Sequence, residues 1–249
     1  MPVLDEILAT LPEGTVKEVR VGAFWTAVVV DRQGQRRCGL AATLLGENDH
    51  HHTGADDVAD AGHLARYTGR QLAALVHSSS SLEVSLGMAA INALLPAQTE
   101  HYVEMNAEEV ILAQGAGRRV AVVGHFPFLP RCRAVASKLW VLEKRPHGDD
   151  LPAEAAPDVL PQADVVAMSG TTIMNRTFDG LMALCQPGAL VLVLGPSTPL
   201  SPVLFDYGVN IISGSIVEDV DAVLRAVSEG ANFRQVRRHG VRLVTMHKP

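Results

Sequence analysis

From Arg119 onward the sequence repeats one pattern: a short apolar run rich in β-branched residues, then a stretch compatible with a helix. Strand-like runs fall at Arg119–Gly124, Lys138–Glu143, Ala163–Ser169, Ala189–Gly195 and Val209–Ser213. Their apolarity is continuous rather than alternating, which a parallel strand buried on both faces requires. Between them lie helix-compatible segments at Arg131–Ser137, Ala153–Leu160, Arg176–Cys185 and Pro202–Tyr207, and Asp219–Ser228 follows the last strand. Alternating βα units with short, right-handed connections predict a doubly wound parallel sheet with helices on both faces. The expected fold is therefore α/β and Rossmann-like in its C-terminal part.

The N-terminal region reads differently. Leu4–Leu11 is a short amphipathic helix closed by Pro12 and Gly14. Val16–Asp31 reads as one long strand, Arg32–Gln35 as a turn, and Arg36–Leu44 as the returning strand of a hairpin. Thr68–His77 and Ser81–Leu95 read as helices, the second capped by Ser80 or Ser81 and stopped by Pro96. Strands followed by helices suggest a small α+β unit. The expected division is residues 1–105 for that unit and 106–249 for the Rossmann-like one.

Length allows one large core or two modest ones in 249 residues. The formal charge of −6, with no long basic run and only a small local patch at Arg237-Arg238, disfavours nucleic acid and anionic membranes as partners. The apolar runs are strand-sized, and the first residues lack the basic and apolar regions of a signal peptide. Three widely separated cysteines form neither a disulfide framework nor a zinc ribbon, so a reduced, cytoplasmic protein is expected. The expected partner is a small molecule, and a homo-oligomer stays open.

In an open α/β sheet the ligand crevice lies beyond the carboxyl ends of the strands, where the strand order reverses. The loops to inspect begin at Gly124, Glu143, Ser169 and Gly195. The first, Gly124-His125-Phe126-Pro127, has one glycine where a dinucleotide fold needs three, so NAD and FAD are disfavoured. Glu143 ends the second strand, 19 positions after Gly124, where a carboxylate can accept from ribose hydroxyls or simply be solvated beside Lys144. Ser169-Gly170-Thr171-Thr172-Ile173-Met174-Asn175 clusters hydroxyls ahead of a helix, as an anion or carbonyl cradle or as plain capping with Asn175 as N-cap. Gly195-Pro196-Ser197 has the same two readings. Ser85 and Asn92 share a stripe with Met88 on the Ser81–Leu95 helix, bonded internally or facing a cleft.

Eight of the ten histidines lie between His50 and His147. His50-His51-His52, with Asp49, Asp56, Asp57, Asp60 and His63 nearby, could ligate a divalent transition metal, or could be an exposed loop with adventitious affinity. Cys132 and Cys185 read as packed helix residues rather than nucleophiles. His125 is the best-placed general base by chemistry, although Phe126-Pro127 could equally bury it neutral.

VVGHFP (Val122–Pro127), ADVVAMSGTTIMNRTFDGLM (Ala163–Met182) and GPSTPLSPVLFDYGV (Gly195–Val209), preceded by VGAFWTAVVVD, CGLAAT and SLGMAAINALL, resemble the putative heavy-metal chelation family. The resemblance covers most of the chain. It implies an enolase N-terminal-like domain followed by a Rossmann-like domain, with the active site between them. It also implies condensation or hydrolysis of a small pterin-, flavin- or chelator-like molecule. By the same resemblance Gly124, Phe126, Pro127, Thr171, Thr172, Asn175, Gly195, Pro196 and Ser197 line that site, and Asn92 reaches it from the first domain. Ser169 stands where the family pattern has Thr. The competing expectations are a non-catalytic metal or metallophore-binding protein and an S-adenosylmethionine-dependent methyltransferase-like protein, which Glu143 permits and the glycine-poor first loop weakens.

Overall fold

The computed structural model describes residues 2–45, 57–97, 99–103 and 107–248. Helix α1 (Pro2–Thr10) buries Val3, Leu4 and Ile7 on one face. It leads into an antiparallel meander of β1 (Thr15–Val21), β2 (Trp25–Arg32) and β3 (Gln35–Ala42). The expected long strand over Val16–Asp31 is thus two strands, and the hairpin is a three-stranded sheet. The break comes at Gly22–Phe24, where the Gly22 N–H turns back onto the Trp25 carbonyl at 2.9 Å. Flanking valines hid that turn, because the run keeps its β-branched composition straight through it. The expected Arg32–Gln35 turn is present, with positive φ at both Gln33 and Gly34, as a two-residue turn matching strand twist requires.

Helix α2 (Gly69–Ala74) starts in a capping box between Thr68 and Gln71, and α3 (Ser81–Leu94) starts at Ser80, whose hydroxyl accepts from the Glu83 amide. At the far end of α3, Arg37 donates to the Ala93 and Leu95 carbonyls and Arg32 to the Leu94 carbonyl. Two cations thereby close the negative end of a helix that is buried nearly all round. Along the α3 stripe, Ser85 is fully buried, donating to the Ser81 carbonyl and accepting from the Leu44 amide.

After α4 (Ala107–Gly115) the chain builds the large sheet. Its elements are β4 (Arg119–Val123), α5 (Leu129–Val135), β5 (Lys138–Glu143), β6 (Leu151–Pro152), α6 (Ala156–Val159) and β7 (Val165–Ser169). They continue through α7 (Thr171–Met174), α8 (Phe178–Leu184), β8 (Leu190–Leu194), α9 (Val203–Asp206), β9 (Ile211–Val217), α10 (Val220–Ser228), α11 (Phe233–Arg238) and β10 (Val241–His247). The strand order is β10-β9-β8-β7-β4-β5-β6, parallel except for β10, which runs antiparallel on β9. The chain moves outward from β4 to β6 and then returns to β7 on the other side of β4. That reversal is the switch point, and it opens the crevice between the ends of β4 and β7. The α/β, doubly wound reading holds. The antiparallel edge strand and helices α4 and α11 lay outside it, and the expected Ala153–Leu160 helix is a 3₁₀ turn plus one α-helical turn.

Side-chain alternation divides each central strand between two layers. Val120, Val122, Val165, Ala167, Leu192 and Leu194 pack with Cys132, Leu129 and Ile111. Ala121, Val166, Met168, Val191 and Val193 belong to a second cluster that continues into the N-terminal half through Ile7, Val28, Leu72 and Leu94. The small sheet is covered on both faces. Val28 and Val30 lie against the α3 side, whereas Ala27, Val29 and Leu40 pack on Val223, Leu224 and Val227 of α10. Every residue from Thr26 to Val30 is consequently buried.

At the amino-terminal edge of the large sheet, Arg119 donates to both Asp164 carboxylate oxygens, and its amide donates to one of them. These bonds hold Asp164 well below the usual carboxylate range, the Arg119 side chain being the largest cause. A depressed acid contributes stability that is complete above its unfolded value, about 3.9, and is lost as pH falls below it. Acid titration followed by circular dichroism is expected to show Asp164→Asn less stable than wild type at neutral pH. The difference narrows from about pH 4 downward.

Candidate active site at the strand ends

Beyond Val123, Gly124 takes φ +110° and turns the chain across the end of β4. A Cβ there would also lie tightly, 3.1 Å from Ser169 Cβ and 3.3 Å from the Phe126 ring, so the conformation calls for glycine and the space leaves little slack. Phe126 and Phe128 stack with ring centroids 5.1 Å apart and planes 16° from parallel. Pro127, between them, is exposed.

At the end of β7 the Ser169 and Thr171 hydroxyls pair at 2.9 Å, the Thr171 amide donates to Ser169 Oγ, and the Thr172 hydroxyl donates to the Ser169 carbonyl. Thr172 is buried, and Ser169 and Thr171 are part-exposed. Asn175 is not the N-cap expected for the following helix. That position is Thr177, and Asn175 Oδ1 instead accepts from both the amide and the hydroxyl of Thr177. The chain has already turned through α7, which moves the start of α8 two residues on.

Gly170 packs beneath Thr198, and Gly195 turns the chain after β8 into Pro196 and Ser197. Ser197 is 3% exposed and accepts the Ala42 amide from β3 at 2.8 Å. Asn92 Nδ2 donates to the Leu40 carbonyl at 2.8 Å and lies 3.4 Å from that of Ser197, while Asn92 Oδ1 is buried with no partner among the described residues. Gly124, Ser169-Gly170, Gly195–Thr198 and Asn92 therefore form one row along the strand ends. Its Asn92–Ser197 end is a packed seam between the two halves, and its His125 end is open.

At that open end a hollow of about 490 Å³ is lined by His125, Leu129, Pro130, Arg133, Ala134, His147, Asp149 and Asp150. His125 is 59% exposed, and its Nδ1 sits 3.2 Å from Oδ2 of Asp150, whose side chain is only 5% exposed. Phe126-Pro127 do not bury the imidazole. The same Asp150 oxygen accepts the His147 amide, and the Asp150 amide closes a four-residue turn onto the His147 carbonyl. The sequence placed Asp150 in the strand-end loop after Glu143 but gave it no role. The available signal was the turn sequence His147-Gly148-Asp149-Asp150, which carries Gly148 at φ +61°.

Glu143 lies at the end of β5 as expected, with one carboxylate oxygen accepting the Lys144 amide. The first turn of α5 has little to offer a phosphate. Leu129 and Arg131 spend their N–H groups on the Phe126 and Phe128 carbonyls, and Pro130 has none. A pyrophosphate needs such donors free. Burial pushes the Cys185 thiol up to about 11 and raises that of Cys132, so both stay neutral and packed.

His50, His51 and His52 lie outside the described residues. Of their neighbours, Asp60 accepts from the Tyr67 hydroxyl and the Asp57 carbonyl from Ser80. Among the described residues, no group of three His, Cys, Asp or Glu side chains converges to hold a metal ion.

A family model described as "Putative heavy-metal chelation" matches residues 106–246, and a second with the same description matches residues 4–95. The chain belongs to the putative heavy-metal chelation family. An uncharacterised protein of Methanocaldococcus jannaschii from the curated proteins is 26% identical over 211 residues, spanning 80% of this chain and 78% of that one. A family protein of unknown function from Desulfitobacterium hafniense has a crystal structure that superposes with a TM-score of 0.84 at 26% identity, covering 99% and 98% of the two chains. A second, from Pyrococcus horikoshii, gives 0.81 at 19% identity over 99% and 98%, and shares the fold. Among the described residues, no helix of this family member is long and apolar enough to cross a membrane.

Proposed function

We propose that this member of the heavy-metal chelation family is an enzyme that condenses or hydrolyses a small pterin-, flavin- or chelator-like molecule at the strand-end crevice, with His125 as its acid–base group. The observation that carries this reading is a half-exposed imidazole, its Nε2 without a partner among the described residues, on a ligand-sized hollow between the segments that follow β4 and β5, on the β5 side of the switch-point strand β4. In hydrolysis, Nε2 takes a proton from the attacking water and returns it to the leaving group. Condensation is the same path reversed. The Phe126 ring and the Ser169–Thr171 hydroxyl pair lie on the adjoining strand-end row, outside the lining of the hollow, and would meet a planar ligand that reaches past His125.

Thermal-shift screening of pterins, flavins and catecholate or carboxylate chelators, with and without Zn²⁺, tests the reading. At least one is expected to raise the melting temperature of wild type, and less so that of Phe126→Ala, and to be consumed on incubation. Stabilisation without consumption would favour a protein that only binds a metal chelate, as the family description also suggests. Equal shifts in wild type and Phe126→Ala would move the site elsewhere.

A further inference from the structure

The His125 imidazole has two nitrogens, and an acid–base role needs one of them presented in a defined state. Nδ1 faces Asp150 at 3.2 Å, and Nε2 has no hydrogen-bond partner among the described residues, on a ring that lines the hollow. A carboxylate only accepts hydrogen bonds, so the ring must place its proton on Nδ1, leaving Nε2 as a lone pair. Asp150 is built to impose this. Its side chain is 5% exposed, its own amide is tied into the His147–Asp150 turn, and the His147 amide donates to the same Oδ2. The carboxylate is therefore anchored by main chain on the loop after β5, while the ring it faces belongs to the loop after β4. Other charged groups around the hollow are arranged differently. Arg133 faces the exposed Asp149 at 3.8 Å, and His147 turns its own Nδ1 onto the Arg145 carbonyl.

We infer that Asp150 is a positioning residue: it fixes the Nδ1–H tautomer of His125 and aims Nε2 into the hollow. The inference deepens the proposed acid–base role of His125 and rests on that reading for its catalytic meaning, although the tautomer stands or falls by itself. It requires a proton-bearing Nδ1 in the neutral ring, not merely proximity. A purely structural Asp150, pairing only with the His147 amide, would leave the ring free to exchange tautomers.

Long-range ¹H–¹⁵N correlation spectra of uniformly labelled, full-length protein test this at about pH 9, where histidines are neutral. His125 is assigned by the resonance lost in His125→Gln. Wild type is expected to show Nε2 at the unprotonated position and Nδ1 at the protonated one. Asp150→Ala is expected to shift both nitrogens toward the opposite tautomer, and Asp150→Glu to restore part of the wild-type pattern. Carbethoxylation of His125 by diethyl pyrocarbonate, read by peptide mass, should slow several-fold in Asp150→Ala. A wild-type His125 protonated on Nε2, or an unchanged spectrum in a folded Asp150→Ala, overturns the inference. If Asp150→Ala fails to fold, the wild-type spectrum with the His125→Gln assignment still overturns the inference should Nε2 carry the proton. The expected tautomer together with full turnover by His125→Gln would uphold Asp150 as the positioning group and refute the acid–base role.

Discussion

Gly39→Ala is expected to destabilise the protein by at least about 3 kcal/mol, in the upper range for single substitutions. Gly39 is the point where β3 touches α3, backbone against backbone. A Cβ there would lie 2.1 Å from the Ala89 carbonyl oxygen and 2.3 Å from the Ala93 amide nitrogen. Neither atom belongs to a side chain that can rotate away, so α3 and β3 must separate. That separation reaches the Asn92–Leu40 bond and loosens the seam between the halves. Gly180, a helical glycine on α8 with open space around its would-be Cβ, is the control. Gly180→Ala should be neutral or stabilise by about 0.5–1 kcal/mol. Urea unfolding midpoints compare the two, and similar values for both alanines would contradict the close approach of β3 and α3.

Once a substrate is in hand, His125→Gln should lower kcat by about 10²–10⁴-fold, the usual worth of a positioned acid–base group. Stability should stay within about 0.5 kcal/mol, because the ring is 59% exposed and packs little. Glutamine keeps a polar side chain that can still donate to Asp150 but cannot carry the proton. A fall in kcat at unchanged melting temperature separates lost chemistry from lost fold. A mutant with wild-type kcat removes His125 from the reaction.

The large sheet was legible because its strands carry their signal locally. Lys138–Glu143 is continuously apolar between its two charged ends and sits where the sequence places it to the residue. β10 was not legible: Arg242, Thr245 and His247 interrupt its apolar run, and only pairing along the whole of β9 makes it a strand. The Val16–Asp31 break shows the reverse case, in which uniform β-branched composition concealed a turn. For the site, topology did most of the work. Once the strands are known, the loops starting at Gly124, Ser169 and Gly195 must share an edge. What each polar residue does there was not legible, because it depends on partners far along the chain. Ser197 binds Ala42, 155 positions away, and Asp150 meets His125 across 25 positions and a turn.

The covering of the small sheet by α10 has a consequence for synthesis. One face of β2 and β3 closes on α3 soon after both have left the ribosome. The other face, with Ala27, Val29 and Leu40, waits for Val223, Leu224 and Val227. At roughly 5–20 residues per second, an apolar strip stays uncovered for about 10–40 s while the intervening chain is made. The nascent N-terminal half thus keeps one apolar sheet face uncovered through most of translation, and buries it only once α10 has emerged.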